Sequence, residues 1–398
     1  MEGILLKNAR VCTPFEWLDG CVLTRAGRIE AVAGHIDPPD WAEVIDAHGM
    51  ILAPGYIDLH VHGGGGRSVM EGTAEAIAAM ADAHARHGTT AILPTTLSMP
   101  LDAMAQADRA VAEAMDKGLG QATILGIHQE GPCLSPAQGG AQSADALRVP
   151  SRTDLSALIE ESRCLRMMGV APELDGAPAL GERLAARGVV VSVAHSDADY
   201  DTVLAAMDHG FSDVTHLYSG CSSVVRRNAF RVAGVVEAGL ERDGLTVQVI
   251  ADGCHLPQAL LRLIYKCKGP ALMYPVTDGL EFSAADIREG VTYTQRNGQM
   301  CVYEDGVMKL PDRRAFAGSV ATMSRLVRTL AGAGIPLGDV LRMATDTPAR
   351  RIGATSKGRV AAGFDADLIL LDQALHVRLC VAKGRVIRRD EPLQSTNK

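Results

Sequence analysis

The run "PGYIDLHVHGGGG" (54–66) closes on two histidines one residue apart, His60 and His62. Residues two apart on a strand face the same side, so both imidazoles point to one place. Ionisable groups end five later apolar runs as well: His128 and Glu130, then His195, then His216, then Asp252 with His255 beyond it, then Asp278. Burying such groups is costly unless a partner or a cation compensates. Imidazole and carboxylate together suit zinc, iron or another borderline divalent ion. A single H-x-H is a weak signal, and its recurrence with Glu, His and Asp at successive strand ends makes it a strong one. A bound divalent ion lowers the pKa of its water to about 7 and polarises a carbonyl. A carboxylate that is not a principal ligand can take the water's proton and hand it to a leaving amine. Asp278, at the last strand end, is the expected proton carrier, and hydrolysis of an amide or related bond is the expected chemistry.

The elements that must position these groups follow from the pattern of the runs. Apolar β-type segments recur at "GYIDLHVH", "TTAILPTT", "ATILGIHQE", "RCLRMMGVAPE", "GVVVSVAHS", "FSDVTHLYS", "LTVQVIADG" and "ALMYPVTDG", with segments of helical spacing between most of them. Eight such strands alternating with helices predict an α/β fold, a (β/α)8 TIM-like barrel, whose chemistry gathers at the C-terminal strand ends. The strands are near-continuous apolar runs, as expected of strands buried on both faces. No G-x-G-x-x-G follows the first strand, which argues against a Rossmann sheet. The stretch 281–318 breaks the rhythm, and "VTYTQRNGQMCVYEDGVMKL" predicts a β-hairpin inserted after strand eight. The two chain ends, 1–52 and 356–398, carry short strand-like runs between turn residues. They are expected to pair into one small β-sandwich domain, leaving 53–355 as the barrel.

Composition narrows the partners. The 398 residues are 47% hydrophobic with a formal net charge of −8, which argues against nucleic acid or an anionic membrane as the main partner. Nine cysteines without a C-x-x-C pair read as reduced thiols of a cytoplasmic protein. The N-terminus has no signal-peptide pattern, and no run is long and apolar enough to span a membrane.

The segments "PGYIDLHVHG", "HQEGP", "AHSDADYD", "THLYS", "IADGCH", "PVTDG" and "GRVAAGFDADLILLD" together resemble the amidohydrolase superfamily, and more closely the N-acetylglucosamine-6-phosphate deacetylases. The similarity runs in order over nearly the whole chain. It implies that Glu130, His195 and His216 hold the main metal, and that His60 and His62 hold a second one in a one- or two-ion site. Zinc is the first choice, with iron, manganese or cobalt as alternatives. It also implies Asp278 as general base and then acid, and His255 as a substrate contact. Strand four lacks the lysine that bridges two metals in other amidohydrolases, which fits the glutamate type.

The pocket departs from the family pattern. Gln142, in "EGPCLSPAQGGAQSADA", stands where the family usually has a histidine that polarises the acetyl carbonyl. Glutamine can donate a hydrogen bond but carries no charge. "HLYSGCSS" replaces the usual H-L-Y/F-N-A-M, leaving Ser219 and Gly220 to offer backbone N–H groups near the phosphate. Arg227, or Arg226, stands where a neighbouring subunit supplies the phosphate arginine, which implies a homodimer. The expected substrate is a phosphorylated N-acetyl amino sugar, N-acetylglucosamine 6-phosphate first. N-acetylgalactosamine 6-phosphate or another amide is the alternative, and a metal-free scaffold protein the reading from a different class. His84, His87 and His209 read as structural, as do Cys133, Cys221 and Cys254. Asp252 reads as a turn cap, Glu173 as a structural acceptor, and Gly63–Gly66 as a sharp turn that lets the backbone approach a ligand.

Overall fold

The computed structural model describes residues 2–296, 298–391 and 393. Each of the eight runs forms a strand of one parallel sheet: β1 (Tyr56–Val61), β2 (Thr89–Thr96), β3 (Ile127–Glu130), β4 (Leu165–Val170), β5 (Val190–Val193), β6 (Phe211–Val214), β7 (Thr246–Val249) and β8 (Met273–Pro275). They pair in chain order. The circle closes where Val61, at the end of β1, bridges Gly279 just beyond β8. The Asp278 N–H donates to the His60 carbonyl at 2.9 Å across the same seam. Asp58 strengthens the seam from below. Its carboxylate accepts from the Thr277 N–H at 3.2 Å and from the Thr277 hydroxyl. Burial pushes the Asp58 carboxyl up to about 6.

Helices cover the outside. Ala74–Ala85 starts at Thr73, whose side chain accepts from the Ala76 N–H, and it packs against Leu101–Asp116. The main core lies between these helices and the strands, where Ile77, Met80, Val111, Ile92 and Met168 are fully buried. A second cluster, with Leu59, Leu93, Met167 and Tyr274, fills the barrel interior.

The two chain ends join in one sheet of eight strands. Ile51–Pro54 pairs in parallel with Gly3–Cys12 and antiparallel with Leu368–Leu371. Leu6, Val22, Ile29 and Leu52 from the N-terminal end share a core with Leu368 and Leu379 from the C-terminal end. Lys357 is buried beneath this sheet with its ammonium 3.0 Å from Asp365 and 2.5 Å from Asp367.

The insertion after β8 is larger than the expected hairpin. Thr292–Thr294, Met300–Glu304, Val307–Lys309 and Phe316–Gly318 form a four-stranded antiparallel sheet. The last strand has only three residues and follows "PDRR", so it carries no readable alternation. It is held by pairing to Val307–Lys309 and by packing of Ala317 against Leu280, Cys301 and Met308.

Candidate metal centre and substrate cleft

The strand ends converge on Glu130. Its Oε1 lies 3.0 Å from His216 Nε2, 3.1 Å from His195 Nε2 and 3.5 Å from His60 Nε2. Its Oε2 lies 3.4 Å from His62 Nε2. Asp278 Oδ1 stands beside this group, 3.0 Å from His62 Nε2 and 3.3 Å from His60 Nε2. Two overlapping triads, His60–His62–Asp278 and His60–Glu130–His216, each bring their donor atoms within 4.8 Å of one another. The six side chains arrive from β1 and the residue just after it, from β3, and from the turns after β5, β6 and β8, the strand ends at which the sequence placed them.

Each of the four histidines is also fixed from behind. His62 Nδ1–H donates to the Thr95 carbonyl at 3.1 Å, His195 Nδ1–H to the Gln138 carbonyl at 2.8 Å, and His216 Nδ1–H to the Ser219 carbonyl at 2.9 Å. His60 Nδ1–H donates to Gln248 Oε1 at 3.1 Å. Gln248 is itself oriented, because its amide N–H donates to Asp213 at 2.8 Å. An acceptor at Nδ1 sets the tautomer and leaves the Nε2 lone pair facing inward, which is the arrangement of metal-ligating imidazoles.

The backbone is strained at the same points. His195, His216 and Asp278 have φ of +43°, +27° and +47°. A non-glycine residue in the left-handed region costs roughly 1–2 kcal/mol, and such residues cluster at functional sites. The glycine turn expected after His62 is pressed between neighbours. A Cβ on Gly63 would meet the Glu281 backbone at 2.7 Å, and one on Gly64 would meet His84 Nε2 at 2.6 Å. His84 is buried and donates to the Gly63 carbonyl at 2.9 Å, so it holds this turn from outside the cage.

The electrostatics call for a cation. Burial opposes ionisation of Glu130, yet the charge of His60 and the close approach of His195 and His216 hold its carboxyl well below the usual range. Burial likewise opposes the ionised form of Asp278, and His60 and His62 outweigh it, bringing that carboxyl to about 2. Burial disfavours a charge on His60, but the facing carboxylates of Glu130 and Asp278 raise it to about 9. A field that draws a proton onto a buried imidazole also suits a divalent ion in its place. Donor type, convergence and orientation all fit such an ion.

A cleft of about 240 Å³ opens over this cage, lined by Gln142, Ser219, Gly220 and His255 among others. Gln142 is keyed in one orientation: its carbonyl accepts from the Ser98 N–H at 2.8 Å and its amide donates to Glu130 Oε2 at 2.7 Å. His255 Nδ1–H donates to Asp252 at 2.8 Å, leaving Nε2 for the cleft. Asp252 also accepts from the backbone of Cys254 and His255, so it both caps the turn and orients the ring. Ser219 differs from expectation, because its N–H is already bonded to the His216 carbonyl at 2.8 Å inside a tight turn. Gly220 has φ +57°, and a Cβ there would lie 2.7 Å from His195 Nδ1. Arg227 does not reach the cleft of its own chain. It sits on the exposed hairpin Val225–Val232 and pairs with Asp199 at 3.6 Å. Glu173 anchors the turn after His195 by accepting from Ser196 and Asp197. Cys133, Cys221 and Cys254 stay outside the cage, and His128 packs edge-on against His60 with ring centroids 4.8 Å apart. A larger cavity, about 480 Å³ between residues 12–17 and the helix Leu337–Ala344, contains none of the histidines.

The amidohydrolase family pattern matches residues 51–391. The chain belongs to the amidohydrolase family. It is therefore a hydrolase, and the family's dependence on metal agrees with the cage. It is 33% identical over 342 residues to an N-acetylgalactosamine-6-phosphate deacetylase from Shewanella sp. (strain ANA-3), covering 85% of this chain and 84% of the relative. It is 29% identical over 394 residues to an N-acetylglucosamine-6-phosphate deacetylase from Bacillus subtilis (strain 168), covering 97% of each. Among solved structures, N-acetylglucosamine-6-phosphate deacetylase from Pasteurella multocida superposes with a TM-score of 0.88 at 28% identity, covering 96% of this chain and 99% of that one. A mutant of the enzyme of that name from Mycobacterium smegmatis, solved in complex with N-acetyl-D-glucosamine-6-phosphate, gives 0.87 at 30% identity over 98% of this chain and all of the other.

The family resemblance accounts for Glu130 and the histidines but not for their supports. Gln248, Thr95, Gln138 and Ser98 were not singled out from the sequence. Gln248 alone left a trace there, an amide within the apolar run "LTVQVIADG".

Proposed function

We propose that this amidohydrolase removes the acetyl group from an N-acetyl amino-sugar 6-phosphate, giving the free amino sugar phosphate and acetate. N-acetylglucosamine 6-phosphate is the substrate expected from the family. Its galactosamine epimer is the second reading, supported by Gln142, by "HLYSGCSS" and by the name of the Shewanella relative. The observation that carries the proposal is the position of Glu130 Oε1 within 3.0–3.5 Å of three inward-facing imidazole nitrogens, with Asp278 alongside.

Glu130, His195 and His216 would hold the principal ion, and His60 and His62 a second one. When bound, the ion lowers the pKa of water at the site to about 7 and polarises the acyl carbonyl. Asp278 is the proton carrier. Its carboxylate is ionised at neutral pH, so it takes a proton from water as the new C–O bond forms. It then delivers that proton to the amide nitrogen as the C–N bond breaks. The Gln142 amide, fixed by Ser98, offers a neutral N–H donor on the acyl side of the cleft. His255 positions the sugar through Nε2. Gly220 and Ser219 shape the phosphate end, where Arg227 of a second copy supplies the charge, and the working form is a homodimer. Zinc is the proposed metal. The cytoplasm is the proposed location, supported by nine cysteines none of which is in a disulfide. Domain limits of 1–52, 53–355 and 356–398 are proposed for the end sheet and the barrel.

Acetate release from N-acetylglucosamine 6-phosphate, N-acetylgalactosamine 6-phosphate and the two unphosphorylated sugars tests this reading. Turnover confined to the phosphorylated sugars is expected. Turnover on no phosphorylated sugar overturns it.

A further inference from the structure

One wall of the cleft is aromatic, and nothing in the hydrolytic chemistry uses it. Phe316 lines the cleft and is 39% exposed. Its ring centroid is 4.8 Å from that of His255, at 55° between planes. Its direction follows from strand alternation. Ala317 faces the buried core of the inserted sheet, so Phe316 before it faces away from that core. The strand cannot shift easily. Phe316 is in register with Lys309, and a Cβ on Gly318 would meet Leu280 at 2.9 Å. Asp252 holds the His255 ring at Nδ1. Phe316 and His255 therefore form a fixed, half-open apolar surface beside a polar cage.

An aromatic face in a sugar cleft contacts the C–H groups of the pyranose. In the galacto configuration the axial O4 leaves the hydrogens of C3, C4 and C5 together on one face. In the gluco configuration the C4 hydrogen lies on the opposite face, and the apolar patch is smaller. We propose that Phe316, backed by His255, is a specificity-determining contact to the sugar ring that lets this site accept the galacto epimer alongside the gluco one. The galacto epimer depends on the ring more strongly, because it offers the larger C–H face. This rests on the deacetylase reading above and deepens it.

The test compares kcat and KM of the metal-loaded enzyme on N-acetylgalactosamine 6-phosphate and N-acetylglucosamine 6-phosphate. The wild type, Phe316→Leu and Phe316→Tyr are measured. Loss of one apolar contact changes discrimination by about tenfold. Phe316→Leu is expected to lower the galacto-to-gluco ratio of kcat/KM by about that factor, chiefly through KM, and Phe316→Tyr to keep it. An unchanged ratio in Phe316→Leu, or the same fall in Phe316→Tyr, overturns the assignment while leaving the deacetylase reading intact. Hydrolysis of neither epimer by the wild type overturns the deacetylase reading, and the sugar contact with it.

Discussion

Gln248, on β7, accepts a hydrogen bond from His60 Nδ1, on β1, at 3.1 Å, and is itself turned the right way by Asp213. The Asp213–Gln248–His60 chain crosses the barrel interior beneath the cage. It converts a packed polar layer into control of one imidazole's tautomer. Removing a partner of this kind weakens metal binding by about 10–100-fold. Gln248→Leu is expected to do so, read by competition with a chelator of known affinity. An unchanged metal affinity would show that His60 is oriented by packing alone.

Asp278 is expected to act after binding. Asp278→Asn keeps the shape but cannot accept the proton, so kcat should fall by about 10²–10⁴-fold. Glu130 and the four histidines remain, so metal content should stay near that of the wild type. Loss of metal in step with loss of rate would place Asp278 among the principal ligands instead.

His84 makes stability depend on pH. Burial pushes its imidazole down to about 4, against 6.5 for the free side chain. The folded protein resists the proton while the unfolded chain takes it up with ordinary affinity. Stability therefore falls as pH drops from 6.5 toward 4, by about 3 kcal/mol for a shift of this size. Urea unfolding of the wild type and His84→Gln at pH 7 and pH 5 measures the effect. Glutamine can still donate to Gly63, so the variant should lose less stability on acidification. Identical pH slopes would remove His84 from the account.

Lys357 ties the end sheet together. Its ammonium is buried against Asp365 and Asp367, and Asp367 also accepts from the Lys383 N–H at 2.8 Å. Asp365 keeps Arg28 at 2.7 Å, but Asp367 would lose its cation, and removing one partner of a buried pair costs about 3–5 kcal/mol. Lys357→Met should lower the unfolding free energy by that order in a denaturant titration. A loss below about 1 kcal/mol, the range of a surface pair, would mean that water reaches these carboxylates.

The barrel was legible in eight apolar runs alternating with segments of helical spacing, and the cage in the ionisable residues that end those runs, with the family resemblance implying their roles. Ionisable residues at the ends of apolar runs are rare enough to stand out, so His60, His62, Glu130, His195, His216 and Asp278 announced themselves. Their supports did not. Thr95, Gln138 and Ser219 act through backbone carbonyls, which every residue carries, so no residue type marks them. Left-handed φ at His195, His216 and Asp278 falls on residue types that do not by themselves mark such a conformation, so it has no local signature. Phe316 was invisible because a three-residue strand after "PDRR" reads as loop, and its place on the cleft depends on the whole inserted sheet.

Metal content by elemental analysis, measured with acetate release before and after exhaustive chelation and on Glu130→Gln, tests most directly whether Glu130 and the surrounding histidines grip a divalent cation that activity requires. About one to two ions per wild-type chain are expected, with loss of activity on chelation, recovery on adding metal back, and a metal-poor, inactive Glu130→Gln. Full activity in chelated protein that retains no metal would contradict it.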